Sequence, residues 1–156
     1  MIELAIPGFG DLKLRHLVLD YNGTLSCDGV LLDGVREALA SLAEHVQIHV
    51  LTADTFGSAA ASLAGLPCTL KVLPAADQAQ AKAEYVRALG AGGCAAVGNG
   101  RNDRLMLKES ALGMAVVQEE GAAVETLLAA RLVFRDIRRA LEALLHPLRL
   151  TASLRS

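Results

Sequence analysis

The segment Asp20-Tyr21-Asn22-Gly23-Thr24-Leu25 directly follows the apolar run Leu17-Val18-Leu19. A buried strand that stops at a carboxylate and then turns through glycine presents that carboxylate at the carboxyl edge of a sheet, where open α/β sheets bind ligands. An ionised Asp20 needs no deprotonation to act as a nucleophile, so it could attack phosphorus and form an aspartyl-phosphate. The plain alternative is an aspartate that merely caps a turn or helix.

Further segments carry groups suited to the same chemistry. Val46–Leu51 reads as a strand ending at Thr52, whose hydroxyl and backbone N–H suit a phosphate oxygen. Lys82, near the start of a helical stretch, could neutralise both the attacked phosphate and the nucleophile. Lys71 and Lys108 are rivals for that role. Gly93–Val97 reads as a strand that delivers the loop Gly98-Asn99-Gly100-Arg101-Asn102-Asp103. Magnesium takes oxygen ligands and keeps part of its water. Asp20, a backbone carbonyl near Asn22, and Asn99 or Asp103 could supply the protein's share. Asn99, Asn102 and Asp103 could also cap the helix that follows, and the two roles are compatible.

These groups need a scaffold that brings distant segments to one edge. Ile2–Ile6 and Leu12–Leu14 alternate around Pro7-Gly8-Phe9-Gly10, a hairpin pattern expected to add an antiparallel edge to the sheet. Strand 16–20 leads to Asp20, and residues 26–34 form a small flap. Helices are expected at Val35–Glu44, from Thr55 or Gly57 to Leu63, and at Gln78–Leu89, Arg104–Ser110, Gly121–Leu128 and Ile137–Leu145. Strands are expected at Val46–Leu51, Cys68–Leu73, Gly93–Val97, Leu112–Val117 and Leu132–Phe134, with a tail from Pro147. Strands alternating with helices at this pitch predict βαβ units, a mainly parallel Rossmann-like sheet and helices on both faces. The expectation is a single three-layer α/β/α sandwich over residues 1–156.

Composition narrows the class. The chain has 156 residues, 53% of them apolar, and no tryptophan, so a core must be built from Ala, Val and Leu. A formal charge of −2 gives no electrostatic case for nucleic acid or an anionic membrane. Cys27, Cys68 and Cys94 match neither a disulfide framework nor a zinc pattern, which suits a reducing cytoplasm. Neither a secretory signal nor a membrane span is visible. His45 and His49 straddle a helix-to-strand boundary and read as structural. Arg135, Arg138 and Arg139 read as a solvated helix face.

Taken together, DYNGTL, the strand ending in Leu51-Thr52, Lys82 and GNGRND resemble the motifs of the haloacid-dehalogenase-like (HAD-like) phosphohydrolase superfamily. The stretch from Leu73 to Val116, followed by GAAVETLLAARLVF, resembles the phosphorylation domain of P-type ATPases. That resemblance spans about Leu17 to Arg138. It implies that Asp20 accepts the phosphoryl group, that Thr52 and Lys82 hold it, and that Gly23, Thr24, Ala53 and Asn102 contact the substrate. It further implies Mg2+ bound by Asp20, Asn22, Asn99 and Asp103. The points where relatives insert a large cap hold only short segments here. The site is therefore expected to stay open, or to be covered by a homo-oligomer partner or a bulky phosphorylated substrate.

This chain departs from the superfamily pattern in two places. Asn22 stands where most phosphatases of the superfamily carry the aspartate that protonates the leaving group and activates water. Loss of such a group typically slows a reaction about 10²- to 10⁴-fold. Asn99 stands where the loop usually has aspartate, which removes one negative charge from the metal site. The expected activity is magnesium-dependent phosphotransfer or phosphohydrolysis through an aspartyl-phosphate on Asp20, with slow dephosphorylation. The alternative is a degenerate, non-catalytic module that binds a phosphorylated ligand or a protein partner.

Overall fold

A computed structural model describes residues 1–54 and 57–156. The central sheet runs β10(Leu132–Phe134), β9(Leu112–Val116), β8(Cys94–Gly98), β3(His16–Asp20), β6(Gln47–Thr52) and β7(Cys68–Val72), in that spatial order. All of its neighbouring pairs are parallel. Burial follows position in the sheet. Every residue of β8 and β9 is buried, whereas β7 and β10 at the edges are mostly half-buried or exposed. The unbroken apolar runs Leu17-Val18-Leu19 and Cys94-Ala95-Ala96-Val97 are what strands covered on both faces require.

One face carries α1(Val35–Leu42), α2(Ser58–Leu63) and α6(Ile137–Leu145). The other carries α3(Gln78–Leu89), α4(Arg104–Glu109) and α5(Val124–Ala129). Helix α6 shows how the sequence selects these faces. Ile137, Ala140, Leu141 and Leu144 recur at helical spacing and are buried, and Asp136 caps the start by accepting the Arg139 N–H at 2.9 Å. The expected α/β/α sandwich is the observed architecture. The expected helix start at Thr55 lies outside the described residues, and α2 is described from Ser58.

The structure corrects three expectations. β1(Ile2–Ile6) and β2(Gly10–Leu14) form their own two-stranded sheet and add no edge to the central one. Arg15 alone separates β2 from β3, and β6 and β8 already occupy both sides of β3. The hairpin instead folds over the sheet face and buries Ile2, Ile6, Leu12 and Leu14. Second, the stretch after Pro147 is a helix, α7(Leu148–Leu154), which buries Leu150 and closes against the hairpin through the Ser156 N–H on the Pro7 carbonyl. Third, α5 begins at Val124 rather than Gly121. Gly121 has φ 72°, a left-handed conformation that a right-handed helix does not use, and residues 117–123 form a loop.

β4(Ser26–Cys27) and β5(Val30–Leu31) form a short flap. Its turn places Asp28 and Gly29 at positive φ, as a two-residue hairpin demands. Because α7 is packed structure, Leu150→Ala should lower stability by about 2–5 kcal/mol, measured by urea unfolding. A loss within about 0.5 kcal/mol would show the helix to be dispensable.

Candidate active site

The sheet reverses its direction of growth between β3 and β8: β6 and β7 are added on one side of β3, and β8, β9 and β10 on the other. The crevice at the carboxyl end of such a switch is where α/β folds place ligands. Asp20 ends β3 there. Its pairing with Leu51 sets Thr52 one step further along, and the pairing of Leu19 with Val97 brings the 98–103 loop to the same edge.

Lys82 comes down onto this edge from the fifth position of α3. Its Nζ lies 2.6 Å from Asp20 Oδ1 and 2.7 Å from Asp103 Oδ1. Lys82 is 1% exposed, Asp103 0% and Asp20 6%, so the narrow opening of this cluster is at Asp20. Lys71 and Lys108, the rival lysines, are exposed. The second oxygen of Asp103 accepts the backbone N–H groups of Asn99 and Gly100, each at 2.9 Å. Asp103 therefore folds its own loop back on itself. Gly98 allows this, since a Cβ there would meet Asp103 side-chain atoms at 2.5 Å.

The other oxygen of Asp20 is held from the turn that follows it. Thr24 Oγ1 lies 3.0 Å from Asp20 Oδ2 and 3.2 Å from Asn99 Oδ1, which draws two oxygen-bearing side chains together. Gly23 is required by that approach. It has φ 79°, and a Cβ on it would meet the Asn99 amide at 2.5 Å.

Two buried carboxylates share one ammonium, so with all three ionised the cluster keeps one negative charge. Burial and the charge of Asp103 push Asp20 up from an ordinary 3.8 to about 7, and Lys82 and Thr24 offset only part of this. For Lys82, burial pulls its pKa down, but the two aspartates more than compensate and the net shift is upward. Lys82 is therefore the fixed cation of the site, and Asp20 is the group whose charge is under-compensated.

The remaining expected residues lie around this centre. Thr52 is buried, and its Oγ1 accepts the Asp54 N–H at 3.0 Å. Ala53 is half-buried beside it. Asn102 turns toward the first turn of α3 and donates to Gln78 Oε1 at 2.8 Å. Asn22 is exposed at the turn and makes a single backbone bridge with Ser26. His49 does not pair with His45. It lies under α3, 3.1 Å from His16 and 3.0 Å from the Tyr85 hydroxyl, and burial lowers both imidazoles. Arg135, Arg138 and Arg139 are exposed.

Sequence reasoning missed the loop after β9. Gln118 Nε2 donates to the carbonyls of Gly23 and Thr24. Asn99 Nδ2 donates to the Gly121 carbonyl at 3.0 Å, and Thr126 Oγ1 to the Gly100 carbonyl at 2.6 Å. A polar segment that follows a buried strand at the ligand edge was the available signal.

No protein-family model matches the chain. Several solved structures share its fold. The 3-deoxy-D-manno-octulosonate 8-phosphate phosphatase of Moraxella catarrhalis, in complex with magnesium, phosphate and KDO, aligns with TM-score 0.71 at 15% identity, covering 85% of this chain and 86% of that one. The cobalt-bound deoxy-D-mannose-octulosonate 8-phosphate phosphatase of Haemophilus influenzae gives 0.71 at 16%, covering 86% and 88%. A Streptomyces avermitilis protein classed with HAD family hydrolases gives 0.66 at 22%, covering 85% and 84%. The chain shares the α/β fold of these three proteins. In sequence it is similar to two proteins of Methanocaldococcus jannaschii. It is 47% identical to uncharacterized protein MJ0073 over 60 residues, 38% of this chain and 64% of that protein's length. It is 46% identical to uncharacterized protein MJ0072 over 39 residues, 25% of this chain and 89% of that protein, and it belongs to one family with it. Among the described residues, no helix is long and apolar enough to cross a membrane.

The raised Asp20 carboxyl has a measurable consequence. Between pH 3.8 and about 7 the folded chain binds a proton that the unfolded chain has lost. This contribution is therefore present at low pH and is lost as pH rises through about 7. Without metal, the natural chain should lose stability relative to Asp20→Asn as urea unfolding is moved from pH 5 to pH 8. A pH-independent difference between the two would contradict the geometry.

Proposed function

We propose that the chain is a magnesium-dependent phosphohydrolase or phosphotransfer domain that works through an aspartyl-phosphate on Asp20. The observation that carries this reading is the convergence of Asp20, Lys82, Asp103, Thr24 and Asn99 at the sheet's switch point. The magnesium and phosphate held by the Moraxella catarrhalis neighbour support it.

The residues present fit magnesium. The donors near Asp20 are hard oxygens, its own carboxylate and the Asn99 carboxamide, which Thr24 brings together. The under-compensated charge on Asp20 is the feature a divalent cation would relieve. Among the described residues no group of three or more His, Cys, Asp or Glu side chains forms a metal cage, so the protein's share of the ligands is small. Asp20 and Asn99 would hold the ion. Asp103 would add a second carboxylate to that set while it also holds Lys82 and the loop. Bound magnesium supplies positive charge to the phosphoryl oxygens.

This chain's residues do the rest. A carboxylate oxygen of Asp20 attacks phosphorus. The bond from phosphorus to the leaving oxygen breaks, and the leaving group departs with its electron pair. Lys82 stays protonated and neutralises charge on the phosphoryl oxygens. Thr52 offers its hydroxyl at the same edge, and Thr24 keeps Asp20 oriented. Asn22 can hydrogen-bond to the leaving group but has no proton to give. The reaction therefore favours leaving groups that need none, such as acyl phosphates. Water then attacks the aspartyl-phosphate, releasing phosphate and regenerating Asp20. With no carboxylate at position 22 to deprotonate that water, this second half is slow.

Asn22 and Asn99 together also favour a second reading, a module that binds a phosphorylated ligand or protein partner without turnover. Intact-mass measurement after acetyl phosphate and magnesium separates the two. The expected result is a persistent phosphoryl adduct at Asp20, and an Asn22→Asp variant that loses it faster, by up to about 10²- to 10⁴-fold. No adduct, together with no gain in turnover for Asn22→Asp, would overturn the catalytic reading.

A further inference from the structure

We infer that Gln118 is a positioning residue for this phosphoryl transfer, acting through Thr24. The inference rests on the reading of Asp20 as the phosphate acceptor. Gln118 lies just past β9, half-buried, and uses both ends of its amide. Nε2 donates to the Gly23 carbonyl at 3.1 Å and the Thr24 carbonyl at 3.0 Å. Oε1 accepts the N–H of Ile137, the first residue of α6, at 2.8 Å. Two carbonyls on one side call for a donor pair, and a helix-start N–H on the other calls for an acceptor. A carboxamide supplies both.

The nucleophile turn is closed on itself by the N–H groups of Thr24, Leu25 and Ser26 on the Tyr21 carbonyl and of Gly23 on the Ser26 carbonyl. Those bonds fix its shape. They do not fix its tilt toward the 98–103 loop. Gln118 does, by tying the turn to α6. Thr24 carries the effect onward, because its hydroxyl sits between Asp20 Oδ2 and Asn99 Oδ1. The same segment holds the opposite loop through the Gly121 carbonyl on Asn99 Nδ2 and the Ala123 N–H on the Asn99 carbonyl. A single strap therefore sets the spacing between the proposed nucleophile turn and the proposed metal loop. Displacement of a reacting group by about 1 Å can cost about 10²-fold in rate.

Gln118→Glu keeps the shape and the acceptor for Ile137 but puts an oxygen against two carbonyl oxygens. Gln118→Met keeps the length with neither function. Adduct formation from acetyl phosphate and magnesium should slow about 10- to 100-fold in the glutamate variant, with a higher magnesium concentration at half-maximal rate. In 1H–15N spectra of the metal-free chain, the Thr24 backbone and Asn99 side-chain signals should move, while the His49 backbone signal stays. An unchanged adduct rate, or unmoved Thr24 and Asn99 signals, overturns the inference. Should the glutamate variant fail to fold, the methionine variant carries both readouts. If the natural chain forms no adduct, the reading of Asp20 fails, and the spectra alone decide whether Gln118 sets the turn.

Discussion

One buried lysine between two buried aspartates is the constraint around which the chain is arranged. Removing such charges from water costs several kcal/mol per ion, and the loss is recovered only with short contacts and every remaining lone pair satisfied. The fold meets that demand from separate segments. α3 delivers Lys82, β3 delivers Asp20, and the loop after β8 delivers Asp103, whose second oxygen is taken by two backbone N–H groups. Thr24 takes the second oxygen of Asp20. What is left over is one negative charge at the one member with an opening to solvent. A cluster built only for stability would gain nothing from that excess.

The scaffold follows from the same demand. A parallel sheet with both faces covered lets strands far apart in sequence end side by side, and the switch between β3 and β8 leaves a crevice at those ends. Glycine appears where the approach is closest. Gly23 lets the turn after Asp20 come against Asn99, and Gly98 lets Asp103 fold under its own loop. The hairpin, α6 and α7 build the opposite face. Through Gln118 that face is connected to the site rather than merely beneath it.

Much of this was legible in the residues, for identifiable reasons. Leu17-Val18-Leu19 could only be a strand buried on both sides, so Asp20 had to end at an edge. The family resemblance favoured Lys82 over Lys71 and Lys108, and the structure buries Lys82 and leaves both rivals exposed. The errors share one cause, because they depend on tertiary neighbours that no local pattern reports. The amino-terminal alternation specified a hairpin but not which surface it would cover. Pro147 marked a break but not that Leu148–Leu154 would resume as helix and bury Leu150. Gln118 stood in a polar segment after a buried strand, but the value of its carboxamide lies in what faces each end, which no local pattern reports.

Beryllium fluoride mimics a phosphoryl group on a carboxylate, which makes thermal unfolding with and without magnesium the most direct test of Asp20 as phosphate acceptor. The expected result is a rise in the unfolding midpoint of the natural chain only when magnesium and beryllium fluoride are both present, and none in Asp20→Asn. A natural chain indifferent to the pair, or an Asp20→Asn variant that responds equally, would contradict the assignment.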